Sequence, residues 1–128
     1  MPTITAEELE SNLAHFTGAE EYARMKYPWA NLLLTDGAKY LCENAKSFWL
    51  LDLIASYQPK QLRGCEFQHW VVKAENNTAV VTCDDGDNHI LVEQHIGYTD
   101  FPLREIHLYV QPTDFPESGL VVMLTSEY

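Results

Sequence analysis

The residues with the clearest chemical potential lie in one stretch, SFWLLDLIASYQ, at positions 47–58. Asp52 stands in its middle, with a leucine on each side. Positions three and four apart share one face of a helix, so Trp49, Asp52 and Ser56 form a single stripe. If this stripe is buried, Asp52 must be paired, and a raised pKa would let it act as a general acid or base. We favour a solvent-facing or structural carboxylate, because structural networks perturb the pKa values of acids as well.

Histidines offer a second kind of chemistry, because imidazole serves as a base and as a metal ligand. Four of the five lie in the second half of the chain: His69, His89, His95 and His107. If residues 89–98 and 105–111 form a hairpin that pairs residue 96 with residue 107, His95 and His107 point to opposite faces. The sequence contains no HxH, HExxH or CxxC spacing. We therefore predict surface or core histidines, no metal site and no cofactor.

The acidic charge of the chain is uneven. The net charge is −11, and residues 65–128 hold eleven acids against two bases, Lys73 and Arg104. Binding to a phosphate backbone depends on clustered Lys and Arg, so direct nucleic-acid binding is not expected. The sequence has no apolar run near the length of a membrane helix, and its first ten residues do not resemble a signal peptide. We expect a cytoplasmic protein that does not bind a membrane.

The first elements that the pattern predicts are helices. Thr5 and Glu8 have the spacing of a capping box, and Leu9 and Leu13 follow at helical intervals. Residues 19–27 are predicted to form another short helical piece.

A central block then leads into the long apolar helix. Residues 32–34 are predicted to form a short strand, and Thr35 or Asp36 can cap the helix that follows. The long helix is expected to end near Gln58, because Pro59 cannot continue it.

The second half of the chain changes to a period of two, which indicates strands. The predicted strands are residues 67–74, 78–84, 89–98, 105–111 and 120–125. We predict a single α+β domain over residues 1–128, with a mainly helical part (1–58) and a sheet part (65–128). Its helices are expected to pack on one face of a four- to five-stranded antiparallel meander.

Four segments together resemble a family of short bacterial proteins of unknown function. They are FTGAEEYARM, LLLTDGAKYLCENAKSFWLLDLIASYQ, YTDFPLREIHLYV and the terminal SEY. The resemblance implies a small stand-alone protein in a bacterial or phage setting, of a kind often carried on plasmids or other mobile elements. It brings no established reaction, cofactor or catalytic residue. The residues that match its central motif are Asp36, Gly37, Trp49, Asp52 and Tyr57.

The candidate functional residues are Asp36, Trp49, Asp52, Ser56 and Tyr57. Our leading hypothesis is a non-catalytic interaction or regulatory module, an accessory protein of a mobile element that binds a protein partner or itself as a homo-oligomer. A single sheet over helices leaves one face open, and a second subunit often closes such a face. We expect this face to carry Trp70, Val72, Leu108 and Val110, or their neighbours.

Two alternatives belong to other classes of protein. The first is a small enzyme in which Asp52 or Asp36 lies within hydrogen-bond reach of His69, His95 or His107. The second is an acidic decoy of nucleic acid, which requires the acids of residues 65–128 on one continuous face.

Overall fold

The computed structural model describes residues 5–16, 22–59, 62, 65–87, 89–114 and 117–128. The helices are α1 (Ala6–Leu13), α2 (Asp36–Asn44) and α3 (Phe48–Tyr57), with a short 3-10 helix at Thr125–Glu127. The strands are β1 (Ala23–Tyr27), β2 (Ala30–Leu34), β3 (Gln68–Glu75), β4 (Thr78–Asp84), β5 (Ile90–Ile96), β6 (Glu105–Thr113) and β7 (Gly119–Leu124). Within these ranges no helix is long and apolar enough to cross a membrane.

The strands form one sheet in the order β1-β2-β7-β6-β3-β4-β5. All neighbours are antiparallel except β2 and β7, which are parallel. The α+β class is therefore confirmed, but the expected four- to five-stranded antiparallel meander is wrong. The sheet has seven strands and is mixed, because the segment between α1 and α2 adds a hairpin to it.

That hairpin replaces the helix predicted over residues 19–27. Residues 23–27 alternate between half-buried and exposed side chains, which is the period of a strand. A turn at Pro28 and Trp29 then pairs β1 with β2. Residues 19–21 lie outside the described residues.

The predicted hairpin between residues 89–98 and 105–111 is also wrong. β5 pairs with β4, whereas β6 lies on the far side of β3. The connection over residues 97–104 crosses between them and buries Phe101 and Leu103 in the main core. Burial of these two apolar side chains, which a tight hairpin turn between β5 and β6 would not provide, stabilises the crossover connection.

The helices pack on one face of the sheet. The main core joins α3 residues such as Leu50 and Ile54 to Trp70 and Leu108 of the sheet. Trp70, Val72, Leu108 and Val110 are all at most 1% exposed and face this core. Of the two alternatives that the sequence left open, the open face therefore carries their neighbours, because side chains alternate along each strand.

Threonines begin the first two helices. The Thr5 side chain accepts a hydrogen bond from the Glu8 amide at 3.1 Å, which confirms the predicted cap of α1. Of the two candidates for α2, Thr35 is the cap, and its hydroxyl accepts from the Ala38 amide. The long helix ends at Tyr57, just before Pro59.

Candidate functional site

Asp52 lies on the exposed side of α3, where it accepts a 2.6 Å hydrogen bond from the Tyr27 hydroxyl. Tyr27 ends β1, so the contact joins the middle of the helix to the edge of the sheet. Burial, followed by the hydrogen bond to Asp52, raises the pKa of Tyr27. This arrangement is that of a structural anchor.

The other candidates on α3 also contact their surroundings. The Tyr57 hydroxyl donates to Gln94 Oε1 at 2.6 Å, which ties the helix to β5 at the opposite edge of the sheet. The Ser56 hydroxyl donates to the backbone oxygen of Leu53 on the preceding turn. Trp49 packs edge-to-face against Phe101 of the crossover. Asp36 is exposed in the first turn of α2.

The structure does not bring Asp52 or Asp36 to a sheet histidine. Both acids lie with the helices, whereas His69 and His107 alternate with core residues and point to the opposite face. The geometry that the enzyme hypothesis requires is therefore not formed.

A chain of four titratable side chains lies on the open face, and sequence reasoning missed it. His69 Nδ1 lies 2.9 Å from Asp84 Oδ2, and His69 Nε2 lies 2.8 Å from His107 Nδ1. His107 Nε2 then lies 2.5 Å from Glu105 Oε2. The hydrogen bond from His107 lowers the pKa of Glu105. The two imidazole rings meet edge to edge, with centroids 5.0 Å apart and an interplanar angle of 23°.

Strand register creates this chain. The β3–β4 hairpin places His69 opposite Asp84. β6 places His107 opposite Val71, which is two residues from His69 along β3 and on the same face of the sheet. The hairpin register follows from its two-residue turn at Asn76 and Asn77, which the sequence indicates. The β3–β6 pairing joins strands that are distant in the chain, and no local sequence pattern predicts it.

An aromatic cluster adjoins the histidines. Tyr109 contacts His69, with ring centroids 5.6 Å apart, and also contacts Phe67 and Tyr128 at 5.0 Å each. Tyr128 is 71% exposed, so the cluster extends the surface of the open face.

The other strand-region histidines each bind one carboxylate. His89 Nδ1 lies 3.0 Å from Asp85 Oδ2, and His95 Nε2 lies 2.9 Å from Glu93 Oε2. Backbone donation from Asp87, with the His89 side chain as a further donor, lowers the pKa of Asp85. In the part of the chain that the structure describes, no group of three or more His, Cys, Asp or Glu side chains is arranged around a metal position.

The acids of residues 65–128 do not gather on one face. The open face carries Asp84, Glu93 and Glu105. The two ends of the sheet carry Glu75, Asp85, Asp87 and Asp100, and Glu127 lies beside α2. Asp84, Asp85 and Glu127 also hold backbone amides of the fold. The surface that a nucleic-acid decoy requires is therefore not formed.

Two segments that carried the family resemblance contact each other. Glu127 of the terminal SEY binds the Thr35 hydroxyl at 2.6 Å and the Gly37 amide at 3.1 Å. The same carboxylate accepts from the Leu124 amide at 3.0 Å. The end of β7 is thus fastened to the start of α2.

The two edges of the sheet differ in their protection. β1 carries exposed Arg24 and Lys26, and Arg24 is ion-paired with Glu117. β5 carries neither Lys nor Pro, and Ile90 at its start is 58% exposed. Lys in particular discourages the pairing of an edge strand with another chain. β5 carries one acid, Glu93, and no Lys or Arg, so it is the less protected of the two edges.

Three helices on one face of a mixed sheet, with histidine–carboxylate pairs on the other, define a small α+β protein with an open sheet face. The chain belongs to a family of unknown function, DUF6876, which matches residues 7–128. Comparison with curated proteins and with solved structures found no match in either set.

Proposed function

We propose that the protein is a non-catalytic interaction module that acts as a homodimer, in which the β5 strands of two copies pair antiparallel. The observation that carries this proposal is the edge at Ile90–Ile96. β5 ends the sheet, has β4 as its one neighbour among the described strands, and lacks the cations that protect β1. An unprotected edge presents a row of backbone donors and acceptors to a second strand.

The side chains favour one register, with Gln94 on the two-fold axis. Glu93 then lies opposite His95 of the second copy, and Val92 lies opposite Ile96. A carboxylate opposite an imidazole, and apolar side chains opposite each other, stabilise such pairs. A register with Glu93 on the axis would oppose two carboxylates, which is destabilising.

The same register explains two exposed apolar side chains. Ile90 is 58% exposed and Tyr98, just beyond the other end of β5, is 78% exposed. With Gln94 on the axis, Ile90 of one copy lies against Tyr98 of the other at both ends of the contact. Dimer formation would remove these four side chains from water.

The dimer would present one continuous surface from two open faces. A two-fold axis perpendicular to the joined sheet keeps the His69 and His107 side chains of both copies on the same side. This surface, lined by histidines, carboxylates and the aromatic cluster, is the part of the dimer that we propose binds a protein partner. The accessory role on a mobile element is the setting that the family resemblance implies.

Light scattering on the purified chain tests the proposal. The native chain should have twice the mass of one copy. Glu93→Lys, which places a cation opposite His95 at two positions, should weaken the dimer about tenfold. Glu75→Lys is the matched control, because Glu75 is an exposed acid at the end of β3, away from β5.

Circular dichroism should show the same folded spectrum for all three chains. A native chain that stays monomeric as its concentration rises would overturn the proposal. Equal weakening by Glu75→Lys would overturn the β5 contact.

A further inference from the structure

Each of the His69 and His107 imidazoles is oriented by a carboxylate that binds its outer nitrogen, the one that faces away from the other imidazole. The outer nitrogen of His69 is Nδ1, held by Asp84, and the outer nitrogen of His107 is Nε2, held by Glu105. The inner nitrogens, His69 Nε2 and His107 Nδ1, converge to 2.8 Å. Metal-binding histidines commonly show this pattern, with the outer N–H donated to a carboxylate and the inner nitrogen free to coordinate.

Each carboxylate holds the outer nitrogen of its imidazole, which leaves the two inner nitrogens facing each other. The inner nitrogens lie 2.8 Å apart. Two imidazole nitrogens that converge in this way can bind one metal ion in common.

We propose that His69 and His107 bind one divalent transition-metal ion through these inner nitrogens. Imidazole nitrogen suits Zn²⁺, Ni²⁺ and Cu²⁺. Asp84 and Glu105 act as positioning residues, since they fix the tautomer and orientation of each ring and offset the charge of the ion.

The distances suit this ion with little movement. Two nitrogens at about 2.0–2.1 Å from one metal lie about 2.9 Å apart at a right angle and about 3.3 Å apart at the tetrahedral angle. The inner nitrogens are 2.8 Å apart, so they must separate by about 0.1 Å for a right angle and by about 0.5 Å for the tetrahedral angle. A right-angled pair of nitrogens is typical of Ni²⁺ and Cu²⁺ coordination.

Access for the ion comes from the open face. The side chains of His69 and His107 are 23% and 37% exposed, so one side of the pair faces solvent. The two imidazoles supply two ligands, and water supplies the others. The sequence predicted no metal site because the β3–β6 register, which brings the two imidazoles together, is not visible in the pattern.

Isothermal titration with NiCl₂ or ZnCl₂, on a chain without a histidine tag, tests the proposal. The native chain should bind one ion per copy. His107→Ala should lower the affinity at least tenfold, and Glu105→Gln should lower it about tenfold through loss of positioning. His89→Ala is the matched control, because His89 is also bound to a carboxylate but has no second imidazole at hydrogen-bond distance. Its affinity should equal that of the native chain.

Two further measurements make the result decisive. His107 is the more exposed of the pair, so its variant should keep the native circular dichroism spectrum. Nitrogen NMR of the imidazoles should show direct perturbation of His69 Nε2 and His107 Nδ1 by diamagnetic Zn²⁺.

Absence of binding, with only a proton shared by the two rings, would overturn the proposal. Equal loss in His89→Ala would overturn the site. The Glu93→Lys variant, in which the dimer is weakened, should still bind the ion, so this proposal and the dimer are tested separately.

Discussion

Tyr27 and Asp52 join the end of the first strand to the middle of α3 through a 2.6 Å hydrogen bond. On the same helix, Tyr57 donates to Gln94 at the opposite edge of the sheet. The apolar helix is therefore held at both edge strands by hydroxyl groups, and its one carboxylate serves one of these two contacts. Asp52 contributes to the packing of α3, and the chain of histidines and carboxylates lies on the other face of the sheet.

Tyr27→Phe should destabilise the fold by about 1 kcal/mol, because it deletes the hydrogen bond and keeps the ring. Asp52→Asn should cost less, since its amide oxygen can still accept from Tyr27. Urea unfolding gives the free energy of unfolding of both single variants and of the double variant, which together form a double-mutant cycle. If the effects of Tyr27→Phe and Asp52→Asn add with no coupling, the contact does not act as an anchor.

The same contact should make stability fall at high pH. The pKa of Tyr27 is raised in the folded chain, so its contribution is complete below the unfolded value of about 10 and is lost as pH rises above it. The buried thiols shift in the same direction, so the comparison must be with Tyr27→Phe. Between about pH 8 and pH 11, the native chain should lose more stability in urea than the variant does. Parallel losses would contradict the shift.

The three cysteines should differ sharply in reactivity. Burial raises the pKa of Cys42 and of Cys83 to about 12, whereas Cys65 is half-buried. The thiolate is the reactive form, so a disulfide reagent at neutral pH should label Cys65 first. Mass spectrometry of the native chain should find one fast thiol, and the unfolded chain should show three. Fast labelling of Cys42 would show that the helix layer opens more readily than its packing indicates.

Gly37→Ala should destabilise the fold by about 1–3 kcal/mol, because the new methyl group overpacks a filled site. A Cβ at this position would lie 2.6 Å from Leu124 Cδ1 and would also press on the Glu127 carboxylate that binds the Gly37 amide. Gly97→Ala is the control, since a Cβ there meets no atom within 4 Å. Thermal unfolding compares the two. Equal midpoints of thermal unfolding for Gly37→Ala and Gly97→Ala would mean that the contact between β7 and α2 rearranges with little loss of stability.

Local signals in the sequence predicted the elements and some of their ends. The Thr5 cap and the end of the long helix before Pro59 both follow from residues close together in the chain. The helix predicted over residues 19–27 was wrong, whereas the strand predicted at residues 32–34 lies within β2. Glu and Ala at the start of residues 19–27 give a helical composition, while cross-strand pairing with β2 decides the structure of β1.

Long-range pairing accounts for the rest. The β2–β7 and β3–β6 pairs join residues that are distant in the chain, and the pattern of each strand fits several neighbours. The sequence therefore left open whether Trp70 and Leu108 or their neighbours lie on the open face, and the His69–His107 contact was not foreseen. The candidates on α3 were located from helical spacing, but only the fold shows that Asp52 and Tyr57 bind opposite edges of the sheet.

Cysteine cross-linking across β5 tests the homodimer most directly, because it reports the register as well as the contact. In a Cys65→Ser background, Gln94→Cys places two thiols opposite each other on the two-fold axis, within the span of a disulfide. Glu93→Cys places its thiol opposite His95 of the second copy instead. We predict that mild oxidation gives a covalent dimer of the Gln94→Cys chain and leaves the Glu93→Cys chain largely uncoupled. A dimer that forms preferentially through Glu93→Cys, or through neither position, would contradict it.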